Sequence, residues 1–166
     1  LKIFNDLLQK TLERQDFYMH TPEYFRTMWK QLSPDNIAHI LLAKYEGEVL
    51  AAWMIFKWHD RIFYPYGASS SKHRDVMASN LICWETILKG KQWGCDSFDM
   101  WGSLGPDADH DDPWYGFHRF KRGYGGDLVE FAGSWDLVNN SLLYEGVQLA
   151  NKARWIWLRL KRKLPF

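Results

Sequence analysis

A mixed α+β fold, with helices packed on a single mixed sheet, is predicted by three features of this chain. Two segments with apolar residues at helical spacing open it, and three apolar runs separated by short turns follow. From there the helical period alternates with short extended runs to the end. The 166 residues suffice for one domain with a proper core. No internal repeat, low-complexity stretch or linker interrupts them, so residues 1–166 read as one domain.

The first segment, KIFNDLLQKTLERQ, sets Phe4, Leu8 and Leu12 four apart, as one face of a helix requires. In TPEYFRTMWKQL, Thr21 can cap, Pro22 fits the first turn, and Phe25, Met28, Trp29 and Leu32 form one stripe. Ser33 and Pro34 end it. The apolar runs at 37–45 and 49–58 join through Glu46-Gly47-Glu48 as a hairpin. Residues 61–67 make a third strand, with Pro65 placing an edge or bulge near its end. From Asp75 the helical period returns, with Met77, Leu81, Trp84 and Leu88 on one face, and Gly94 closes the helix. A short strand at 96–102, a short helix from Pro113, a strand at 127–138 and a last helix from about Leu142 complete the order.

Composition excludes several classes. Cys83 and Cys95 are too few for a disulfide scaffold or a cysteine metal site and suit a reducing cytoplasm. No run approaches the ~18 apolar residues that cross a bilayer, and no secretory signal opens the chain, so a cytoplasmic domain is expected. The net charge of +1 hides an uneven distribution. After Glu145 there is no acid, while Lys152, Arg154, Arg159, Lys161, Arg162 and Lys163 follow. Aromatic content is 17%, with ten tryptophans, which suits grooves and interfaces as well as cores.

The densest mixture of charge and aromatic surface is YGFHRFKRGYGG, residues 115–126. Arg119, Lys121 and Arg122 stand beside Phe117, Phe120 and Tyr124, a combination suited to something flat that carries or develops negative charge. The alternative is a helix whose aromatic side joins the core while its cations are solvated.

Two helices, three antiparallel strands and a strand–helix alternation are the order of the GNAT acyltransferase fold. The segments YPYGASS, WETILKGKQWGCDSFDMWG and FHRFKRGYGGDLVEFAGSWDLV make the likeness narrower. Together they resemble the FemABX family of peptidoglycan-bridge aminoacyltransferases, whose members carry two tandem GNAT-like domains. The chain is similar to the second of these along nearly its whole length, which implies either a further GNAT-like domain on its N-terminal side or a shortened member. The resemblance implies transfer of an amino acid from aminoacyl-tRNA to an amine of a peptidoglycan precursor's stem peptide. That precursor would be UDP-linked or lipid-linked, and no cofactor is needed.

Aminolysis of an ester needs stabilisation of a tetrahedral oxyanion and a route for the amine's proton. Lys121, a point cation with three donors, suits the oxyanion or the leaving ribose. By the resemblance, Phe120 and Lys121 meet the aminoacyl end of the tRNA. Arg119 and Arg122 suit RNA phosphates, and Phe117, Phe120 and Tyr124 suit stacking on an unpaired base. Glu130, by looser analogy, is a proton acceptor or an anchor for the substrate amine, and otherwise a surface glutamate. Tyr66 can donate to a substrate carbonyl or phosphate, and otherwise is a half-buried sheet tyrosine.

Asp107, Asp109 and Asp111 imitate the first ligands of a calcium loop. Asp112 stands where glycine is needed and His118 where a bidentate glutamate belongs, so no metal is expected. His39, His59 and His73 sit in separate elements. SSSKHRD, at the place where acetyl-CoA enzymes of this fold grip a pyrophosphate, lacks their glycines. An acetyl-CoA-dependent N-acetyltransferase is therefore the second reading, and a non-catalytic RNA- or membrane-binding module the third. In the last helix Leu149, Ala153, Ile156 and Leu160 form one face, with Trp155 and Leu158 on the other. Such a helix suits a core, a neighbouring domain, or an anionic membrane's inner face where lipid-linked precursors reside.

Overall fold

The computed structural model describes residues 1–15 and 19–163, with side chains described through Leu158. The basic residues Arg159, Lys161, Arg162 and Lys163, and Leu160 of the expected apolar face, lie outside the described side chains. The elements in order are α1 (Lys2–Gln15), α2 (Pro22–Leu32), β1 (Ala38–Tyr45), β2 (Glu48–Trp58), β3 (Arg61–Ser69), a 3₁₀ turn (Arg74–Val76), α3 (Ala78–Gln92), β4 (Ser97–Asp99), α4 (Tyr115–Arg122) and α5 (Ser141–Lys163). They fall into two compact units, one from Leu1 to Asp127 and one from Leu128 onward.

In the first unit the sheet order is β1-β2-β3-β4, antiparallel through β3, with β4 parallel to β3. On one face lie Phe4, Leu7 and Leu8 of α1 and Phe25 of α2, packed on Ala52, Met54 and Ala68. On the other, Ile82 and Cys83 of α3 meet Ala43, Ala51, Trp53, Ile55 and Ile62. Thr21 caps α2 as expected, its hydroxyl accepting from the Tyr24 N–H at 3.3 Å. Thr11 ties α1 to β3, accepting from the Ser69 N–H at 3.1 Å while donating to the Leu7 carbonyl at 2.9 Å.

Pro65 sits in a bulge. Met54 pairs with Tyr66 and Phe56 with Phe63, so Tyr64 and Pro65 together oppose Ile55. A residue without an N–H fits where the ladder is interrupted. The extra residue reverses the strand's facing: Ile62 and Tyr64 join the α3 side, whereas Tyr66 and Ala68 join the α1 side.

Two expectations are corrected. In α3 the buried residues are Ile82, Cys83, Thr86 and Gly90, while Met77, Leu81 and Trp84 are exposed. At Gly90 the helix comes close to the sheet: a Cβ there would lie 2.9 Å from Ile62 Cδ1. The small residues Cys83, Thr86 and Gly90 thus face the sheet beside Ile82. The other correction concerns residues 127–138, which form no strand. They pair with no other described strand, and Phe131, Trp135 and Leu137 are 88%, 86% and 89% exposed. Alternation predicts a strand only where a partner edge accepts it. The second unit also contains α5, on which Leu142, Leu143, Val147, Leu149 and Ile156 are exposed. Among the described residues no helix is long and apolar enough to cross a membrane.

Candidate functional site

Tyr115–Arg122 of the 115–126 stretch form the short helix α4, closed by Gly123, and side chains there and just beyond are sorted by direction. Phe120 and Tyr124, four apart, turn to the sheet. Phe120 meets Trp53 edge-on at 6.1 Å and Tyr124 at 5.4 Å, and both pack on the α3-side core. The Tyr124 hydroxyl donates to Asn80 Oδ1 at 2.7 Å, fixing α4 to α3. Burial raises the Tyr124 phenol above its ordinary range, and the Cys83 thiol beside it is raised by burial too. The flat surfaces of Phe120 and Tyr124 are thus engaged by the core. Arg119 and Arg122 project into solvent.

Lys121 lies between these two sides. Its Nζ donates to the Gly102 carbonyl at 2.5 Å, in the loop that follows β4. The ammonium stands 4.9 Å from the centre of the Phe117 ring and 5.8 Å from that of Tyr64. Phe117 is four residues back on the same helical face, where i, i+4 neighbours meet. Tyr64 is stacked on Trp53 at 3.6 Å, and burial pushes its phenol far up, so it presents a neutral ring. Desolvation lowers the Lys121 pKa from 10.5 to about 8, with Asp99 on β4 partly opposing the shift. Asp99 is itself held in place, its Oδ1 accepting from the Trp101 N–H at 2.7 Å. Trp101 adopts the left-handed conformation with φ of 66°, which turns the chain so that Gly102 faces Lys121.

One residue turned from solvent was not anticipated as part of this site. His118, 1% exposed, bonds through Nδ1 to Ser103 Oγ at 2.9 Å, while its Nε2 meets no polar partner among the described residues. No periodic signal announces this pair, because one member lies in a loop and the other on a helix 15 positions away.

The remaining candidates are Tyr66 and Glu130. Tyr66 sits on the α1 side of the sheet, edge-on to Phe25 at 4.9 Å and near Phe56. Burial, then its hydroxyl's contact with Tyr24, raise its pKa to about 12. The bulge puts the sheet between Tyr66 and Lys121. Glu130 is exposed and belongs to the second unit. Among the described residues no cluster of His, Cys, Asp or Glu could hold a metal ion. In SSSKHRD, the Lys72 ammonium meets the Glu48 carboxylate at 2.8 Å, and Arg14 donates to the Ser69 carbonyl at 2.9 Å.

The geometry can be set beside known proteins. Residues 38–152 match the sequence model of the FemAB family. A lipid II:glycine glycyltransferase of Staphylococcus haemolyticus is 30% identical over 131 residues, covering 78% of this chain and 31% of its own length. One from Staphylococcus epidermidis is 32% identical over 103 residues, 62% of this chain and 24% of the relative. The crystal structure of FemX superposes with a TM-score of 0.77 at 20% identity, over 87% of this chain and 52% of that one. An aminoglycoside 6'-N-acetyltransferase from Acinetobacter haemolyticus gives 0.57 at 16% identity, over 84% and 92%. The expected GNAT-like fold is therefore present. The chain spans only about a quarter to a third of the curated relatives it matches.

Proposed function

The chain belongs to the FemAB family, and from that premise we propose that it is the Lys121-bearing part of an aminoacyltransferase that builds peptidoglycan cross-bridges. The acceptor is an amine on the stem peptide of a lipid-linked precursor, a reading supported by relatives named as lipid II:glycine glycyltransferases. The donor we infer is aminoacyl-tRNA, whose ester is activated enough to be opened by an amine without a further cofactor.

The observation that carries this reading is the Lys121 ammonium, half desolvated between two aromatic rings and anchored by one carbonyl. An ammonium has three donors, and the Gly102 carbonyl takes one. The others can meet the oxygen that becomes negative when the amine attacks the ester carbonyl. In a partly dehydrated setting such a donor acts more strongly than in water and needs little rearrangement. When the tetrahedral intermediate collapses, the ribose oxygen leaves with the proton that the attacking amine gives up, and the same ammonium steadies its developing charge. Exposed Arg119 and Arg122 on the outer side of α4 suit the approaching RNA backbone. Phe117 is the aromatic side chain of α4 placed against Lys121. The acetyl-CoA reading shares the fold alone: the turn before α3 lacks glycine, and Lys72 there is paired with Glu48.

The test is single-turnover transfer by the full-length protein with saturating aminoacyl-tRNA. Lys121→Ala should slow the transfer step by about 10²–10³ with little change in tRNA affinity. Arg119→Ala should mainly weaken binding, since a lost phosphate contact affects ground and transition states alike. Transfer by Lys121→Ala at the parental rate would remove the catalytic role.

A further inference from the structure

Two residues of α4 one turn apart hold two successive residues of the loop after β4: Lys121 bonds to the Gly102 carbonyl and His118 to the Ser103 hydroxyl. Lys121 is half exposed and His118 fully buried. The exposed end of the pairing carries the cation, and the buried end fixes the loop.

We propose that Ser103 and His118 form a positioning pair that sets the Gly102 carbonyl, and through it the Lys121 ammonium, in register with the reacting ester. The alternative is that Ser103 and His118 form a proton relay, the hydroxyl passing the amine's proton to the imidazole. The surroundings of the ring argue against it. A relay needs a second partner to take the proton onward, and Nε2 meets none among the described residues. A ring with a single bond to Ser103 and no onward partner is a strut. Rotation of Trp101 into the left-handed region costs conformational energy, and a bond at the next residues is what holds such a turn in place. The Asp99 carboxylate caps the turn from one side and the His118 ring holds it from the other.

The effect on transfer rests on the role proposed for Lys121, but the effect on the Lys121 environment does not, so the two can fail separately. The charged or titratable groups facing the ammonium are Asp99 from β4 and the Tyr64 phenol from β3, with Arg119 and Arg122 exposed on α4 itself. Competitive acetylation across pH, read by mass spectrometry in the full chain, reports the titration midpoint of Lys121 itself. In Ser103→Ala the loop should loosen and water reach the ammonium, moving the midpoint from about 8 toward 10.5. Transfer should slow by about 10-fold or more with the KM for the donor unchanged. Ser103→Thr keeps the hydroxyl and should restore both. His118→Asn, whose side-chain amide can meet Ser103, should keep the midpoint near 8, and His118→Leu should not. Ser103→Ala removes one exposed hydroxyl and no core packing, and circular dichroism confirms its fold before its midpoint is read, so it decides the matter if His118→Leu melts. A midpoint unchanged in Ser103→Ala would overturn the proposal. A moved midpoint with parental transfer would keep the pair as the anchor of Lys121 and overturn its part in the reaction.

Discussion

Lys121 works against the ordinary preference of its own charge. A lysine exposed on a helix would titrate near 10.5, and here desolvation brings it to about 8 while Asp99 restrains the shift. At pH 7 the side chain is still mostly an ammonium. Transfer that depends on that cation should therefore fall as pH rises through about 8, and the single-turnover rate against pH checks this. A rate that stays level well above that midpoint would point to another group. Stability runs the other way. The folded state holds the Lys121 proton less tightly than the unfolded chain, so between about 8 and 10.5 the unfolded state binds more protons and stability rises with pH. Lys121→Arg should restore little of the activity, because a planar fork cannot take the place of a point cation between the Phe117 and Tyr64 rings. The 115–126 stretch shows its mixture of charges and aromatics in the sequence, and of these Phe117 meets Lys121. Which aromatics meet it was not legible there. Phe120 and Tyr124 differ from Phe117 only in the side of α4 they occupy, and that side is set by the core behind them.

At the scale of elements, helix spacing and turn chemistry carried most of the fold: α1, α2, the β1–β2 hairpin and the start of α5 lie where apolar period and breakers put them. The α3 face failed for a reason a hydropathy pattern cannot hold. Close packing on a sheet rewards small residues, and the largest apolar side chains, Leu81 and Trp84, were left outside. β3 makes the same point at Gly67, where a Cβ would run into the Tyr64 hydroxyl and sit 2.8 Å from its Cζ. Moving the Tyr64 ring aside is costly, because it is stacked on the buried Trp53. Gly67→Ala should therefore cost about 2–3 kcal/mol, seen as a lower denaturation midpoint. Because the displaced ring is the one beneath Lys121, the near-ultraviolet circular dichroism and the Lys121 titration should shift together. A variant as stable as the parent would show that the ring moves aside freely.

In the first unit there are two cores, one on each face of the sheet, while the segment from Leu128 to Asn140 leaves its large apolar side chains exposed. Exposed, unpaired backbone with aromatic side chains is where proteases cut first. Brief chymotrypsin treatment of this chain should cleave at Phe131, Trp135 or Leu137 and leave a resistant piece ending near Asp127. Cleavage that instead began within α3 or α4 would contradict the burial described for the first unit.

The interruption at Tyr64 and Pro65 has a consequence for how this architecture tolerates change. It works as a dislocation: on either side of it the odd–even parity of β3 is opposite. Two tyrosines only two positions apart thereby serve different layers, Tyr64 as the floor beneath an ammonium and Tyr66 as a tile between the first helices. Substitutions keep that parity and alter one layer at a time. A loss or gain of a single residue in β3 does not, because it sends every side chain beyond it to the wrong layer. Replacement can therefore act on the two halves of the strand independently, whereas a change in length couples them: the floor under Lys121 would be exchanged for the packing of α1 in one step.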